Sequence, residues 1–187
     1  MTQQNPAIEV AFISMEIMLE SDIPTYAGGL GVLAGDMLHS MADMGVPGVG
    51  VSLVYSGDTF SQNISLTGSQ FFKRTDWQKL DQLTKLPTKI EIEVAGQKVI
   101  VGCWRYDFVG YSGHHVPVYL LDTNMLENPP WVRDFTTNLY SSNGNIRICQ
   151  ELVLGIGSVK MLAALGYNKI GKYHLNEGHA AFTTLQL

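Results

Sequence analysis

Cysteine, positive charge and long apolar runs are all scarce in this sequence. Cys103 and Cys149 are the two cysteines among 187 residues, and neither belongs to a C-x-x-C pair, which argues against a disulfide framework and a cysteine metal site. Lysine and arginine number 12 against 17 acidic residues, and the net charge of −5 leaves no basic tract for a nucleic-acid backbone. No apolar stretch approaches the ~20 residues of a membrane span, and the polar start has no signal-peptide pattern. We therefore expect a cytoplasmic protein with neither a nucleic-acid nor a membrane partner.

The overall composition is typical of a globular chain with one core. Hydrophobic residues make up 45% of the sequence and charged residues 16%, which supplies enough apolar surface for one substantial core. At this length we expect a single domain over residues 1–187. Predicted strands separated by helices favour the α/β class, with a Rossmann-like parallel sheet, flanking helices and an inserted β-hairpin.

The first sixty residues predict a strand, a glycine loop, a helix and a second strand. Ile8–Ile13 is a short apolar run typical of a buried strand. From Val32 to Met44 apolar residues recur at spacings of three and four and Gly45 ends the pattern, which predicts a helix that begins at the glycines. Val49–Tyr55 predicts the next strand, and strands joined in this way pair in parallel.

The middle of the chain predicts an antiparallel hairpin and one further strand. Ile90–Val94 alternates apolar and charged residues and turns at Ala95–Gln97 into Val99–Trp104, which is typical of a hairpin added to a main sheet. Val116–Leu121 predicts a buried strand, in which Pro117 indicates an edge strand or a strand start.

The last third predicts a long helix and a short strand. Apolar periodicity predicts a helix over Ile146–Leu165, and Lys172–Leu175 predicts a strand that leads into a loop and the start of another helix. Gly155 and Gly157 lie inside the long helix, where each costs ~1 kcal/mol relative to alanine. We therefore expect another backbone to pack closely against them.

Gly28, Gly29, Leu30 and Gly31 stand at the predicted start of the first helix. Glycine lacks the Cβ that would block close approach, so consecutive backbone N–H groups can face an anion there, and the helix dipole adds attraction. This chemistry predicts a cradle for phosphate or a phosphosugar between Ala27 and Val32. A tightly packed loop without a ligand explains the same residues equally well.

Two nucleotide motifs are weaker interpretations of the same glycines. Residues 29–34 fit the G-x-G-x-x-A dinucleotide pattern, but that pattern requires a strand immediately before it, and more than ten irregular residues follow Ile13 instead. No Walker lysine follows the glycines either.

The histidines do not predict a metal site. His174 and His179 are five residues apart rather than four, so they do not form a helical metal motif. His114 and His115 point to opposite faces of an extended segment. We expect no metal ligand set in this chain.

Three blocks of the sequence, in order, resemble the shorter microbial and archaeal α-glucan phosphorylases. The first comprises Ser14–Glu16, Pro24–Asp36, Gly45–Pro47 and Val49–Val51, the second Arg147–Glu151 with Leu154–Gly157, and the third His174–Phe182. The resemblance is thin between about residues 67 and 111. It identifies the chain as similar to the N-terminal part of this family.

The resemblance implies a GT-B glycosyltransferase with two Rossmann-like domains and the active site in the cleft between them. It implies that inorganic phosphate attacks a terminal α-1,4-linked glucose of a glucan and releases glucose 1-phosphate. It also implies pyridoxal 5′-phosphate as the cofactor of the complete enzyme. The lysine that holds this cofactor lies in the family's second domain, and no lysine here matches its motif.

The resemblance carries functional roles onto a few residues of this chain. Gly28, Gly29 and Leu30 are expected to face the substrate, and Gly28, Gly29 and Gly31 the cofactor phosphate. Asn143 is expected to hydrogen-bond a sugar hydroxyl. His179 is expected to contact the glucosyl unit as the catalytic residue of this half of the site.

The sequence departs from the family pattern at two positions. Asp58 stands close after Tyr55, in a stretch where short family members carry an arginine, and Asn143 replaces an aspartate. We expect the chain to be inactive alone, and to work with a complementing C-terminal chain or as a homo-oligomer.

Two other functions fit part of the sequence. A glycogen or starch synthase shares the glycine loop but usually carries a lysine before it, where this chain has Tyr26 and Ala27. A non-catalytic glucan- or phosphosugar-binding module fits the departures from the family pattern.

Overall fold

A computed structural model describes residues 7–21, 23–57, 60–74 and 81–187. The strands are β1 (Ile8–Ile13), β2 (Gly48–Leu53), β3 (Phe60–Ile64), β4 (Gln70–Arg74), β5 (Thr84–Val94), β6 (Gln97–Val109), β7 (His115–Asp122) and β8 (Ile170–Leu175). The helices are α1 (Gly29–Met44), α2 (Pro130–Arg133) and α3 (Gly144–Ala164), with 3₁₀ helices over Asp134–Thr136 and Gly178–Leu185. Asp58, one of the two departures from the family pattern, lies outside the described residues.

Six strands form one sheet in the order β5-β6-β7-β2-β1-β8. The four strands β7, β2, β1 and β8 are parallel, whereas β6 runs antiparallel to β7, and β5 antiparallel to β6. The hairpin β3–β4 forms a separate two-stranded sheet. The predicted fold class is confirmed: the chain is α/β with a sheet dominated by parallel strands.

The two long helices pack on opposite faces of the sheet. Alternate residues of each buried strand point to opposite faces, so Tyr119 of β7 contributes to the core with α3 and Val118 to the core with α1. α1 buries Ala34, Leu38 and Ala42 in its core. α1 ends where predicted, because Gly45 adopts a left-handed φ of 69° and its N–H bonds back to the last turn.

The structure lengthens the predicted hairpin and decides between the two positions that Pro117 indicated, an edge strand or a strand start. The β5–β6 hairpin is longer than expected and extends the main sheet at its edge, because β6 pairs with β7 along its length. β7 is an interior strand between β6 and β2. Pro117 is tolerated there because it lies at the strand start, before pairing with β2 begins at Val118.

The two glycines of α3 have different neighbours. A Cβ on Gly155 would lie 2.5 Å from the backbone of Phe182 and Thr183, so the predicted close approach of another backbone is confirmed there. A Cβ on Gly157 would instead meet the side chain of Leu121 at 3.1 Å, so the same prediction is wrong for Gly157. Gly155 is therefore the point where α3 contacts the 178–185 helix.

Across the described residues, no helix combines the length and the apolarity that crossing a membrane requires.

We predict that Gly155→Ala lowers the free energy of unfolding by ~1–3 kcal/mol, because the added methyl group overlaps fixed backbone. Urea denaturation measures this change. Gly157→Ala is the control: the end of the Leu121 side chain can shift, and the helix propensity of alanine offsets part of the cost. Equal stability of the two variants would contradict the packing described for Gly155.

Candidate functional site

The residues that follow the parallel strands converge at one edge of the sheet. Ser14 follows β1, Val54 follows β2, and Asn176 follows β8. Ligands of open α/β sheets bind in the crevice outside the carboxyl ends of the strands. The glycine loop and the residues around His179 both lie at this edge.

The glycine loop is held by a carboxylate from the end of β1. The N–H groups of Ala27 and Gly28 donate to Oε2 of Glu16 at 2.7 and 3.3 Å. Gly28 is the N-cap of α1 in an extended conformation, and its carbonyl accepts from the N–H of Val32 at 3.3 Å. Three of the six amides between Ala27 and Val32 therefore already have partners within the protein.

These bonds correct the predicted oxyanion cradle. The amides of Ala27 and Gly28 face the Glu16 carboxylate rather than an external anion, because a buried carboxylate needs hydrogen-bond donors of its own. The amides of Gly29, Leu30 and Gly31 have no intrahelical acceptor, since they belong to the first turn of α1. These three backbone amides are the donors of the loop that could face an external anion.

The glycines of the loop differ in the space around them. A Cβ on Gly28 or Gly29 would meet nothing within 4 Å. A Cβ on Gly31 would lie 2.4 Å from Cβ of Tyr26 and 3.0 Å from Oε2 of Glu16. Gly31 is thus required for packing inside the protein, whereas Gly28 and Gly29 face open space.

Glu16 is buried and carries a third hydrogen bond. Its exposed fraction is 3%, and the hydroxyl of Tyr140 donates to its Oε1 at 2.6 Å. Hydrogen bonds to an ionised acceptor are stronger than neutral ones, and two amides plus one hydroxyl offset the burial of the charge. Glu16 was predicted only as part of a sequence motif, with no role of its own.

Tyr140 connects Glu16 to the predicted catalytic histidine. Its ring centroid lies 5.4 Å from that of His179, and the Arg147 guanidinium carbon lies 4.3 Å from the same ring. Burial, followed by the hydrogen bond to Glu16, raises the pKa of the Tyr140 phenol above its ordinary value. The hydroxyl is therefore a hydrogen-bond donor throughout the neutral pH range.

Asn176 attaches the end of β8 to the end of β1, and His179 follows three residues later. The N–H of Asn176 donates to the carbonyl of Ile13 at 2.9 Å, and its side-chain amide donates to Oγ of Ser14 at 3.0 Å. Among the described residues, no group hydrogen-bonds the buried Nδ1 atom of His179. The imidazole therefore keeps a hydrogen-bonding atom that no described protein group uses.

Asn143 has a structural role that the sequence did not indicate. Its side-chain oxygen accepts from the N–H groups of Asn145 and Ile146 at 3.0 and 3.4 Å, which makes it the N-cap of α3. The predicted contact with a sugar hydroxyl is left to its amide group. On the same helix, Nε of Arg147 donates to Oε1 of Glu151 at 2.9 Å.

Two cavities differ in their relation to the site. One of about 240 Å³ lies beside the glycine loop and is lined by Tyr26, Ala27 and Tyr55 among others. A larger cleft of about 600 Å³ lies between α1 and β6, and its lining includes Glu20 and Tyr106. Within the described ranges, no group of three His, Cys, Asp or Glu residues could hold a metal ion.

Comparison with curated proteins confirms the resemblance to α-glucan phosphorylases. The chain is 35% identical to a glycogen phosphorylase of Aquifex aeolicus over an alignment of 187 positions, which covers 94% of this chain and 26% of the relative. It is 33% identical to a maltodextrin phosphorylase of Thermococcus litoralis over 184 residues, which cover 95% and 21%. A glycogen phosphorylase of Mycobacterium tuberculosis is 34% identical over an alignment of 191 positions, which covers 95% of this chain and 21% of the relative.

These matches lie in the N-terminal part of the relatives. The chain thus spans about a quarter of the length of the curated relatives it matches, or less. No protein-family model matches the chain.

A solved structure has the same fold. The catalytic domain of starch synthase IV from Arabidopsis thaliana, bound to ADP and acarbose, superposes with a TM-score of 0.62 at 15% identity. The superposition covers 95% of this chain and 29% of that one. The chain therefore shares the fold of part of that catalytic domain.

We predict that Asn143→Ala lowers the free energy of unfolding by ~0.5–2 kcal/mol, because α3 loses its N-cap acceptor. Asn143→Asp keeps the acceptor and adds a negative charge at the helix N-terminus, so it should unfold with at least wild-type stability. Thermal and urea denaturation give both values. Asn145→Ala is the control and should cost less than Asn143→Ala; a reversed order would refute the capping role.

Proposed function

We propose that this chain forms one side of the active site of an α-glucan phosphorylase, which splits a terminal α-1,4-linked glucose from a glucan with inorganic phosphate. The observation that carries the proposal is the meeting of three separate sequence segments around Glu16. The glycine loop, Tyr140 and the residues around His179 contact one another directly or through this carboxylate. The relatives named glycogen and maltodextrin phosphorylase support glucan as the substrate class.

The first turn of α1 would bind an oxyanion. The amides of Gly29, Leu30 and Gly31 are donors without an intrahelical acceptor, and the positive end of the helix dipole lies at the same place. Gly28 and Gly29 leave the approach to them open. We propose that an oxygen of the substrate phosphate, or of glucose 1-phosphate, binds here.

His179 would orient the glucosyl unit. Its ring is held beside Tyr140, and a neutral imidazole can donate to or accept from a sugar hydroxyl. A hydrogen bond that strengthens as positive charge develops on the sugar would lower the barrier of the reaction. Asn143, at the start of α3, would offer its amide to another hydroxyl.

Pyridoxal phosphate is the cofactor that we propose for the complete enzyme. Its phosphate group supplies acid catalysis when it is bound. The open face at Gly28 and Gly29 fits a phosphate group, whereas the space beside Gly31 is filled by Tyr26 and Glu16. We propose that a second domain contributes the cofactor lysine and most of the basic phosphate ligands.

Binding of maltopentaose to this chain tests the role of His179. We expect His179→Ala to weaken binding ~2- to 10-fold, the size of one neutral hydrogen bond, by isothermal titration calorimetry. His115→Ala is the matched control, because His115 lies at the opposite end of the parallel strands and should leave the affinity unchanged. Equal affinities of the two variants would exclude His179 from the glucan site.

Phosphorolysis itself is tested by adding the missing side of the cleft. We expect no glucose 1-phosphate from this chain with glucan, phosphate and pyridoxal phosphate, because the cofactor lysine motif is absent from it. Glucose 1-phosphate should form when the chain is mixed with an Aquifex aeolicus glycogen phosphorylase that lacks its own matching segment. Turnover by the chain alone would refute the need for a second domain.

Tight binding of ADP-glucose instead would favour a glucan synthase.

A further inference from the structure

Residues 14–16, directly after β1, contact every other segment of the candidate site. Ser14 accepts from Asn176, as described above, and the Met15 carbonyl accepts from the hydroxyls of Ser52 and Tyr55. Glu16 holds the glycine loop and Tyr140. One three-residue segment therefore connects parts of the chain that lie up to 162 positions apart.

The Glu16 carboxylate uses its two oxygens for two different tasks. Oε2 accepts from Ala27 and Gly28 and so places the start of α1, while Oε1 accepts from Tyr140. Oε2 would also lie 3.0 Å from a Cβ on Gly31, so the carboxylate packs directly against the first turn. The position of the three unpaired amides is thus tied to one charged side chain.

Tyr140 is itself fixed by its surroundings. Its backbone has a left-handed φ of 55°, which is uncommon for a residue with a side chain. Gln150 of α3 holds the same loop, since its Oε1 accepts from the N–H of Ser141 and its Nε2 donates to the carbonyl of Asn138. The ring of Tyr140 is consequently held in contact with both Arg147 and His179.

We infer that Glu16 and Tyr140 are positioning residues that couple the glycine loop to His179. The part of the inference that concerns ligands rests on the proposed function. Glu16 sets where the amides of Gly29, Leu30 and Gly31 point, and Tyr140 sets the imidazole of His179 relative to them. Neither side chain is assigned a contact with the reacting atoms.

A second Glu–Tyr pair in the same chain provides a matched control. The hydroxyl of Tyr106 donates to Oε1 of Glu20 at 2.8 Å, a bond of the same type as that between Tyr140 and Glu16. This pair lines the cleft between α1 and β6. Removing the Glu20–Tyr106 bond shows what the loss of such a bond does when it lies away from the glycine loop and His179.

The first measurement is amide hydrogen exchange of the loop, which needs no ligand. In Glu16→Gln the charge is lost while the shape is kept, and we expect the Ala27 and Gly28 amides to exchange on the order of tenfold to a hundredfold faster, the size of a hydrogen bond to a charged group. Glu20→Gln should leave these amides within twofold of wild type. Unchanged exchange at Ala27 and Gly28 in Glu16→Gln would overturn the inference.

The second measurement is the ionisation of Tyr140, followed by absorbance with Tyr140→Phe as the reference. Burial, Glu16 and Glu177 raise the pKa of this phenol, and Arg147 lowers it. Glu16→Gln should therefore lower the pKa of Tyr140, a change that a general loss of stability does not predict. An unaltered Tyr140 titration would refute the link between the two residues.

The third measurement is ligand binding, and it separates this inference from the proposed function. Tyr140→Phe should weaken maltopentaose binding ~2- to 10-fold through His179. Glu16→Gln should weaken binding of inorganic phosphate. The control variants Tyr106→Phe and Glu20→Gln should change neither affinity.

If the wild type binds neither ligand but the exchange result holds, the proposed function fails and the coupling stands. If it binds both and the variants bind equally well, Glu16 and Tyr140 are structural only. Should Glu16→Gln fail to fold, Tyr140→Phe decides by the exchange of Ala27 and Gly28, which should rise.

Discussion

The arrangement of this protein depends on one buried negative charge. Removing the Glu16 carboxylate from water is costly unless several donors surround it. Those donors come from two segments that are distant in sequence, the glycine loop and the Tyr140 loop. Meeting the needs of one carboxylate therefore brings together segments that the sheet alone would leave only roughly adjacent.

The parallel sheet puts this charge in the right place. β1 lies between β2 and β8, so the residues that follow it stand between the ends of those two strands at the carboxyl edge. The glycine loop returns over this edge because the backbone of Met18 packs on α1: a Cβ on Gly35 would lie 2.3 Å from the Met18 carbonyl oxygen. Local glycines and an interior strand together position these residues.

Much of the fold was predictable because it is encoded locally. The strand Ile8–Ile13 and the end of α1 at Gly45 follow from apolar spacing and one left-handed glycine. The interior position of β7 was not predictable, since a proline near its start resembles an edge signal and pairing partners are non-local. The roles of Asn143 and Gly31 were missed for a related reason: a cap and a packing contact use the same residue types as a ligand site. The bond from Tyr140 to Glu16 spans 124 positions, and no spacing rule reports it.

α3 is one continuous helix that links Tyr140 to the 178–185 helix. Arg147 contacts Tyr140 near its start, and Gly155 contacts the 178–185 helix, which carries His179, two turns later. Successive residues of an α-helix are rotated by ~100°. Inserting or deleting one residue between these two positions would turn one contact away from the other. Insertions and deletions in relatives of this chain should therefore occur in exposed turns such as Ala95–Gly96 and not in this stretch of helix.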